Sequence, residues 1–167
     1  MFLTGLLLIV GAVILIHTKF YLFLGMFPPS VNKIEKTYFE NEQELSYISA
    51  WFLNNDATDI NINLLEPIKE MECYVADSQG GFERKTIDIT DSELLKQLTI
   101  LKSKKFLRIT KEHNSIYFQI WGSFGGSIGL IFSGNQEPDF SKISAKTKVI
   151  EKLPSATNWY YYKIMYE

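Results

Sequence analysis

Residues Phe2 to Phe27 form one apolar run, and no other stretch constrains this chain as strongly. Phe2–Ile16 (FLTGLLLIVGAVILI) holds fifteen residues without a charge. His17-Thr18-Lys19 interrupts the run, Phe20–Phe27 resumes it, and Pro28-Pro29 stops any helix, since proline lacks the amide hydrogen and clashes with the preceding turn. At about 1.5 Å per residue the run reaches roughly 39 Å, against a hydrocarbon core of about 30 Å. The run therefore predicts a helix that spans a lipid bilayer with some tilt. Lys19, its only charge, can snorkel to the headgroups, with Phe20, Tyr21, Phe23 and Phe27 as an interfacial belt.

A cleaved signal peptide would carry a basic segment before the run and a small-x-small site after it, and neither is present. A buried globular helix would keep a polar face, which this run lacks. The expected organisation is an anchor over residues 1–29 and one domain over residues 30–167. Lys33 and Lys36 beside the run favour a cytoplasmic domain by the positive-inside rule. Anchors at the start of a chain more often send the following domain outward, and an extracytoplasmic domain is the expectation.

Hydrophobic residues make up 46% and aromatic residues 14%, enough for a packed core and too much for a disordered segment. Cys73 is the single cysteine, which excludes an intramolecular disulfide and a cysteine-rich zinc site. Charge is uneven. Residues 30–101 carry 14 acids and 6 bases (14 − 6, a balance of −8), and residues 102–167 carry 5 acids and 10 bases (10 − 5, a balance of +5). Two opposed charged surfaces would steer a partner. The simpler expectation is that the halves fold together and their charges interleave.

Ser30–Phe39 reads as a mixed linker. Glu40–Leu53 reads as an amphipathic helix with Leu45, Ile48 and Phe52 on one face, Asn41 as its N-cap and Glu44 as the capping-box partner. Asp59–Leu65, Met71–Ala76 and Phe82–Ile89 read as strands, the last with Ile87 and Ile89 inward. Ser78–Gly81 supplies the turn between the last two. Thr90 or Asp91 caps a second helix that ends at Leu101, with a stripe of Leu94, Leu95, Leu98 and Leu101. Lys105–Thr110, Ser115–Trp121, Ser127–Phe132, Lys148–Leu153 and Trp159–Tyr166 read as further strands, joined mostly by short connections that favour antiparallel neighbours. Asn135–Asp139 opens a longer polar connection. The order predicts an α+β fold: an antiparallel sheet with two helices packed on one face.

Few residues suggest chemistry. His17 lies in the anchor and His113 in a turn, and neither stands in metal-ligand spacing with Cys, Asp or Glu. Gly122–Gly129 is rich in glycine, but it lacks a following helix and a Gly-Lys-Ser/Thr end, so it reads as a hairpin loop rather than a phosphate cradle. The basic run Lys102, Lys104, Lys105, Arg108 and Lys111 is half explained by a helix C-terminus, and the negative net charge argues against nucleic acid. Trp159-Tyr160-Tyr161-Tyr162 is the densest aromatic segment. On a strand, Trp159 and Tyr161 face one side and Tyr160 and Tyr162 the other. These four, with Trp121 and Phe124, are the candidate partner-binding residues, because Trp and Tyr are favoured at interfaces.

The order NEQELSYISAWFL, ININ, DSELLKQL, NSIYFQIW, NWYYYKI resembles small bacterial proteins that carry a signal or membrane segment and an α+β domain. Some of these are encoded near polymorphic toxins and are presumed immunity proteins. This chain departs from the lipoprotein-type members in having no cysteine at the end of its anchor. The resemblance implies a protein of the bacterial cell membrane and transfers no site residues. The expected function is a single-pass, membrane-anchored protein-binding module, not an enzyme, that needs no cofactor or metal and captures a protein, for instance a toxin, one to one. Its partners would be the bilayer, through residues 2–27, and that protein. A small-ligand receptor or enzyme with a carboxylate or tyrosine site, and an accessory subunit of a membrane complex, are the alternatives.

Overall fold

The computed structural model describes residues 28–55, 57, 59–76, 81–123, 126–134, 137–138 and 147–166. The expected anchor over residues 2–27 lies outside the described residues, as do Phe124, the turn residues 78–80 and most of the polar connection after Gly134. Among the described residues no helix is long and apolar enough to cross a membrane.

The described residues form an α+β unit of three helices and one eight-stranded antiparallel sheet. Helix α1 spans Val31–Glu40, where a linker was expected. Val31, Ile34 and Tyr38 recur at helical spacing, and Ile34 and Tyr38 are buried. Ser30 caps α1 by accepting the Lys33 amide at 3.4 Å. Helix α2 spans Glu42–Leu53 and buries Leu45, Ile48 and Phe52, as its stripe predicts. Asn41 is not the side-chain N-cap expected of it. It donates instead to the Thr37 carbonyl at 2.7 Å, closing α1 and turning the chain into α2. The expected sheet with two helices on one face thus carries a third, because the segment expected as a linker is itself a helix that meets α2 at the Asn41 elbow.

Strand β1 (Asp59–Asn63) is followed by β2 (Glu70–Ala76) and β3 (Phe82–Asp88). Helix α3 (Ser92–Ser103) comes next. Asp91 caps it, accepting the Glu93 and Leu94 amides, each at 3.0 Å, and also takes the Trp51 indole N–H of α2 at 3.0 Å. Leu94, Leu98 and Leu101 are buried as expected, Gln97 joins them, and Leu95 is half-buried. The chain then forms β4 (Arg108–Glu112), β5 (Ser115–Ser123), β6 (Gly126–Ser133), β7 (Thr147–Lys152) and β8 (Trp159–Met165). The sheet order is β3-β2-β1-β4-β5-β6-β8-β7. β3 is an exposed edge, with Ile87 at 40% exposure rather than inward, while Ile89 just beyond it packs on the core. The acidic and basic halves of the sequence fold together into one sheet and one core, with α1 of the acidic half packed on β6 and β8. Their strands lie side by side, with the seam at the β1–β4 pair.

The helices cover one face of the sheet. The main core joins Ile34, Leu45, Phe52, Leu94 and Leu98 of the helices to Ile60, Ile62, Ile109, Phe118, Leu130 and Trp159 of the strands. Each such fully buried side chain contributes about 1.5–3 kcal/mol relative to exposure. Trp159 is the hub of an aromatic nest, with ring centroids 5.1 Å from Tyr38, 5.6 Å from Phe118 and 5.2 Å from Phe132. Lys111, also on this face and 5% exposed, donates to the Asn55 carbonyl at 2.7 Å beyond the end of α2. No residue of the three helices joins the smaller cluster on the opposite face.

Candidate functional site

The opposite face follows from the same strand alternation. Residues on alternate positions of each strand point away from the helices. β1 gives Asp59 and Asn61, β2 gives Glu72 and Tyr74, β4 gives Arg108, Thr110 and Glu112, β5 gives Tyr117 and Gln119, and β6 gives Ser127. Two adjoining grooves lie on this face. One, of about 330 Å³, is lined by Arg108, Thr110, Glu112, Tyr117, Gln119 and Ser127, with Tyr162, Ile164 and Tyr166 beside them. The other, of about 320 Å³, runs over Asp59, Asn61, Tyr74 and His113. Thr110 and Glu112 belong to both, so the grooves form one trough across the seam.

The floor of the trough rests on the buried Tyr117, Ile131, Tyr162 and Ile164, none of them joined by a described helix, with Tyr160 packed against them. The rings of Tyr117 and Tyr162 meet edge to face, centroids 5.9 Å apart. Ser127 Oγ donates to the Tyr162 hydroxyl oxygen at 3.0 Å. Burial pushes the Tyr162 hydroxyl far above the usual tyrosine range, and the Ser127 bond only partly opposes that. Tyr162 therefore stays protonated and supplies no base for Ser127, which removes the simplest serine nucleophile from the trough. Gly129 lets Tyr162 lie flat on the strand, because a Cβ there would meet the Phe118 carbonyl oxygen at 2.0 Å and the Tyr162 ring at 3.0 Å.

Charge in the trough is polar along β4. Arg108 lies at one end of the strand and Glu112 at the other. Burial, then the charge of Asp59, raise the Glu112 carboxyl above its usual range. Asp59 is its direct cross-strand partner, and like charges placed opposite one another cost stability. Glu72 is held by Arg84 and accepts from Asn61 Nδ2 at 3.3 Å, and the Arg84 bond is the largest influence lowering its carboxyl. Asn61 Oδ1 is buried without a partner. Among the described residues no three His, Cys, Asp or Glu side chains are grouped to hold a metal ion.

The structure divides the six aromatic residues singled out in the sequence. Trp159 and Tyr161 are buried under the helices, so they offer little surface. Tyr162 forms the trough floor and Tyr160 packs beside it. A bulge between Gln119 and Trp121 shifts the alternation of β5, turning half-buried Trp121 to the helix side, opposite Ile128. Phe124 lies outside the described residues. Sequence reasoning missed Thr110, Glu112, Gln119 and Ser127, and took Arg108 only as part of the basic run. For the residues of β4 and β5 the signal was the polar half of the alternation in RITKE and YFQ, and for Ser127 its place two residues before Gly129 in GSIGLIFS. The basic run dissolves in the fold: Lys102 donates to the Glu66 carbonyl, Lys111 turns to the helices and Arg108 enters the trough. His113 sits exposed in a left-handed turn, at φ 55°. The chain matches no protein-family model, no curated protein and no solved structure.

Proposed function

We propose that this chain is a membrane-tethered protein-binding module, held by residues 2–27, that presents the open face of its sheet to a protein partner and captures it one to one. In the immunity-type version of this reading the partner is a toxin. One observation carries the proposal. All three described helices pack on one face of the sheet, and the trough on the other face is rimmed with charge and floored with tyrosine. Tyrosine and arginine are enriched where proteins bind one another.

A small-ligand receptor is the second reading. It is favoured by a groove of about 330 Å³, at the small end of the range for ligand pockets of about 300–1,000 Å³.

The experiment is an affinity pull-down of the tagged full-length chain from its native membranes, read by mass spectrometry beside the variant Thr110→Arg. Thr110 sits where the two grooves join, so an arginine there fills the trough. One stoichiometric protein, lost with Thr110→Arg at unchanged thermal stability, is the expected result. No protein above background, or equal capture by the variant, overturns the reading.

A further inference from the structure

The trough has a charge pattern with a fixed length. Arg108 and Glu112 face the same side of one strand, four residues apart, with Thr110 between them. At about 3.3 Å per residue their Cα atoms stand roughly 13 Å apart. Each end is built differently.

At the Glu112 end, Arg84, Tyr74, Asp59 and Glu112 form one row across β3, β2, β1 and β4, with Arg84 bonded to Glu72 of the next row. Two carboxylates stand opposite each other with an aromatic ring beside them. Among the described residues neither carboxylate has an ion pair with lysine or arginine. Asn61 Oδ1, in the next row, is a further acceptor without a donor. A row of acceptors beside a ring face fits a guanidinium or ammonium group, which gains both charge-assisted bonds and a cation–π contact. The Glu112 carboxyl is raised by desolvation first and by Asp59 second, with His113 opposing the shift.

At the Arg108 end the pattern is reversed. Arg108 pairs in register with Gln119, and Ser127 and Tyr166 share the groove. Glu72, the nearby carboxylate, is already bonded by Arg84 and Asn61. Arg108 has no ion pair among the described residues. A guanidinium with the Gln119 amide and the Tyr166 hydroxyl beside it fits a carboxylate, while the Ser127 proton is donated to Tyr162.

We infer that the trough takes an extended segment of the protein partner that carries a basic residue and an acidic residue four positions apart, the basic one over Tyr74, Asp59 and Glu112 and the acidic one over Arg108. In an extended segment, residues at i and i+4 share one face and stand the same roughly 13 Å apart as the two ends of the trough. This inference rests on the protein-capture reading and specifies the partner's chemistry.

The probe is a set of acetylated and amidated five-residue peptides with threonine-valine-threonine in the middle. The ends carry arginine and glutamate, arginine twice, glutamate twice, or glutamine twice. Binding is read from amide NMR shifts of the full-length chain in lipid nanodiscs. The mixed-charge peptide is expected to give saturable shifts confined to residues 59–61, 72–74, 108–113 and 117–119. The doubly glutamine peptide should bind about tenfold more weakly or worse, a difference near 1.4 kcal/mol. Arg108→Glu should switch the preference to the doubly arginine peptide, a change that mere loss of fold cannot produce. The same variant should release the protein captured from membranes.

Equal response to all four peptides, or no switch in Arg108→Glu, overturns the inference. Normal capture of a membrane partner by Arg108→Glu overturns it too, while the capture reading stands. A peptide switch with no protein captured by the wild-type chain overturns the capture reading and, with it, the assignment of the segment to a protein partner.

Discussion

The two faces of the sheet are built from the same strands and follow opposite rules. On the helix side, Phe118, Leu130 and Trp159 meet helices and are sealed into one continuous core. On the other side, Tyr117, Ile131, Tyr162 and Ile164 form a smaller buried cluster that no described helix joins. Around them stand Arg108, Glu112, Asp59 and Asn61, whose charges and hydrogen-bonding atoms are incompletely matched. One face is optimised for packing. The other carries an opposed carboxylate pair that works against stability. The contrast is what supports the proposed binding role of the second face, since features that cost stability tend to gather where a protein binds.

The largest test of this contrast is Trp159→Ala. It empties the centre of the aromatic nest and should cost about 3–5 kcal/mol, read by chemical denaturation. Gly129→Ala drives a methyl against the Phe118 carbonyl and the Tyr162 ring, and overpacking of that kind should cost about 1–3 kcal/mol. Tyr162→Phe keeps the ring and removes the hydroxyl that Ser127 donates to, which should cost about 1 kcal/mol, so its loss in the same assay should be the smallest of the three. A Tyr162→Phe loss equal to that of Trp159→Ala would erase the distinction between the faces.

Glu112→Gln sharpens the contrast in the other direction. The Glu112 carboxyl is raised in the folded chain, by burial first and by Asp59 second. The folded state then holds this proton more tightly than the unfolded state does. The contribution of Glu112 to stability accordingly falls as pH rises from the ordinary glutamate range through the raised folded value. Glu112→Gln should therefore be at least as stable as the wild-type chain at neutral pH while weakening capture. Thermal melts at pH 4 and pH 7 check it, and lowered stability at pH 7 would remove the strain argument. Asp91 should behave oppositely. The Leu94 amide is the main influence holding its carboxyl below the usual range, so the stability it confers is present above that range and lost as pH falls through the lowered value.

Much of this architecture was legible in the sequence wherever a period was clean. Leu45, Ile48 and Phe52 at helical spacing marked α2, and DININ alternated as β1 does. The alternation of Trp159 to Tyr162 correctly divided those residues between faces. α1 was missed because Lys33, Glu35 and Lys36 mask its short Val31, Ile34, Tyr38 stripe. The site was harder to see. Aromatic density pointed to Trp159 and Tyr161, yet on a covered sheet face density marks core. The trough is assembled from β1, β2, β4, β5, β6 and β8, and no local pattern announces which strands become neighbours. The bulge after Gln119 is similarly silent, because its one extra residue leaves the composition of β5 unchanged.

The most direct measurement compares membrane capture by the full-length chain, by Thr110→Arg in the trough and by Gln43→Arg on the exposed surface of α2. The account predicts that Thr110→Arg loses the captured protein and Gln43→Arg keeps it, both at wild-type stability. Capture that survives Thr110→Arg and fails with Gln43→Arg would place the binding surface on the helices and contradict the account.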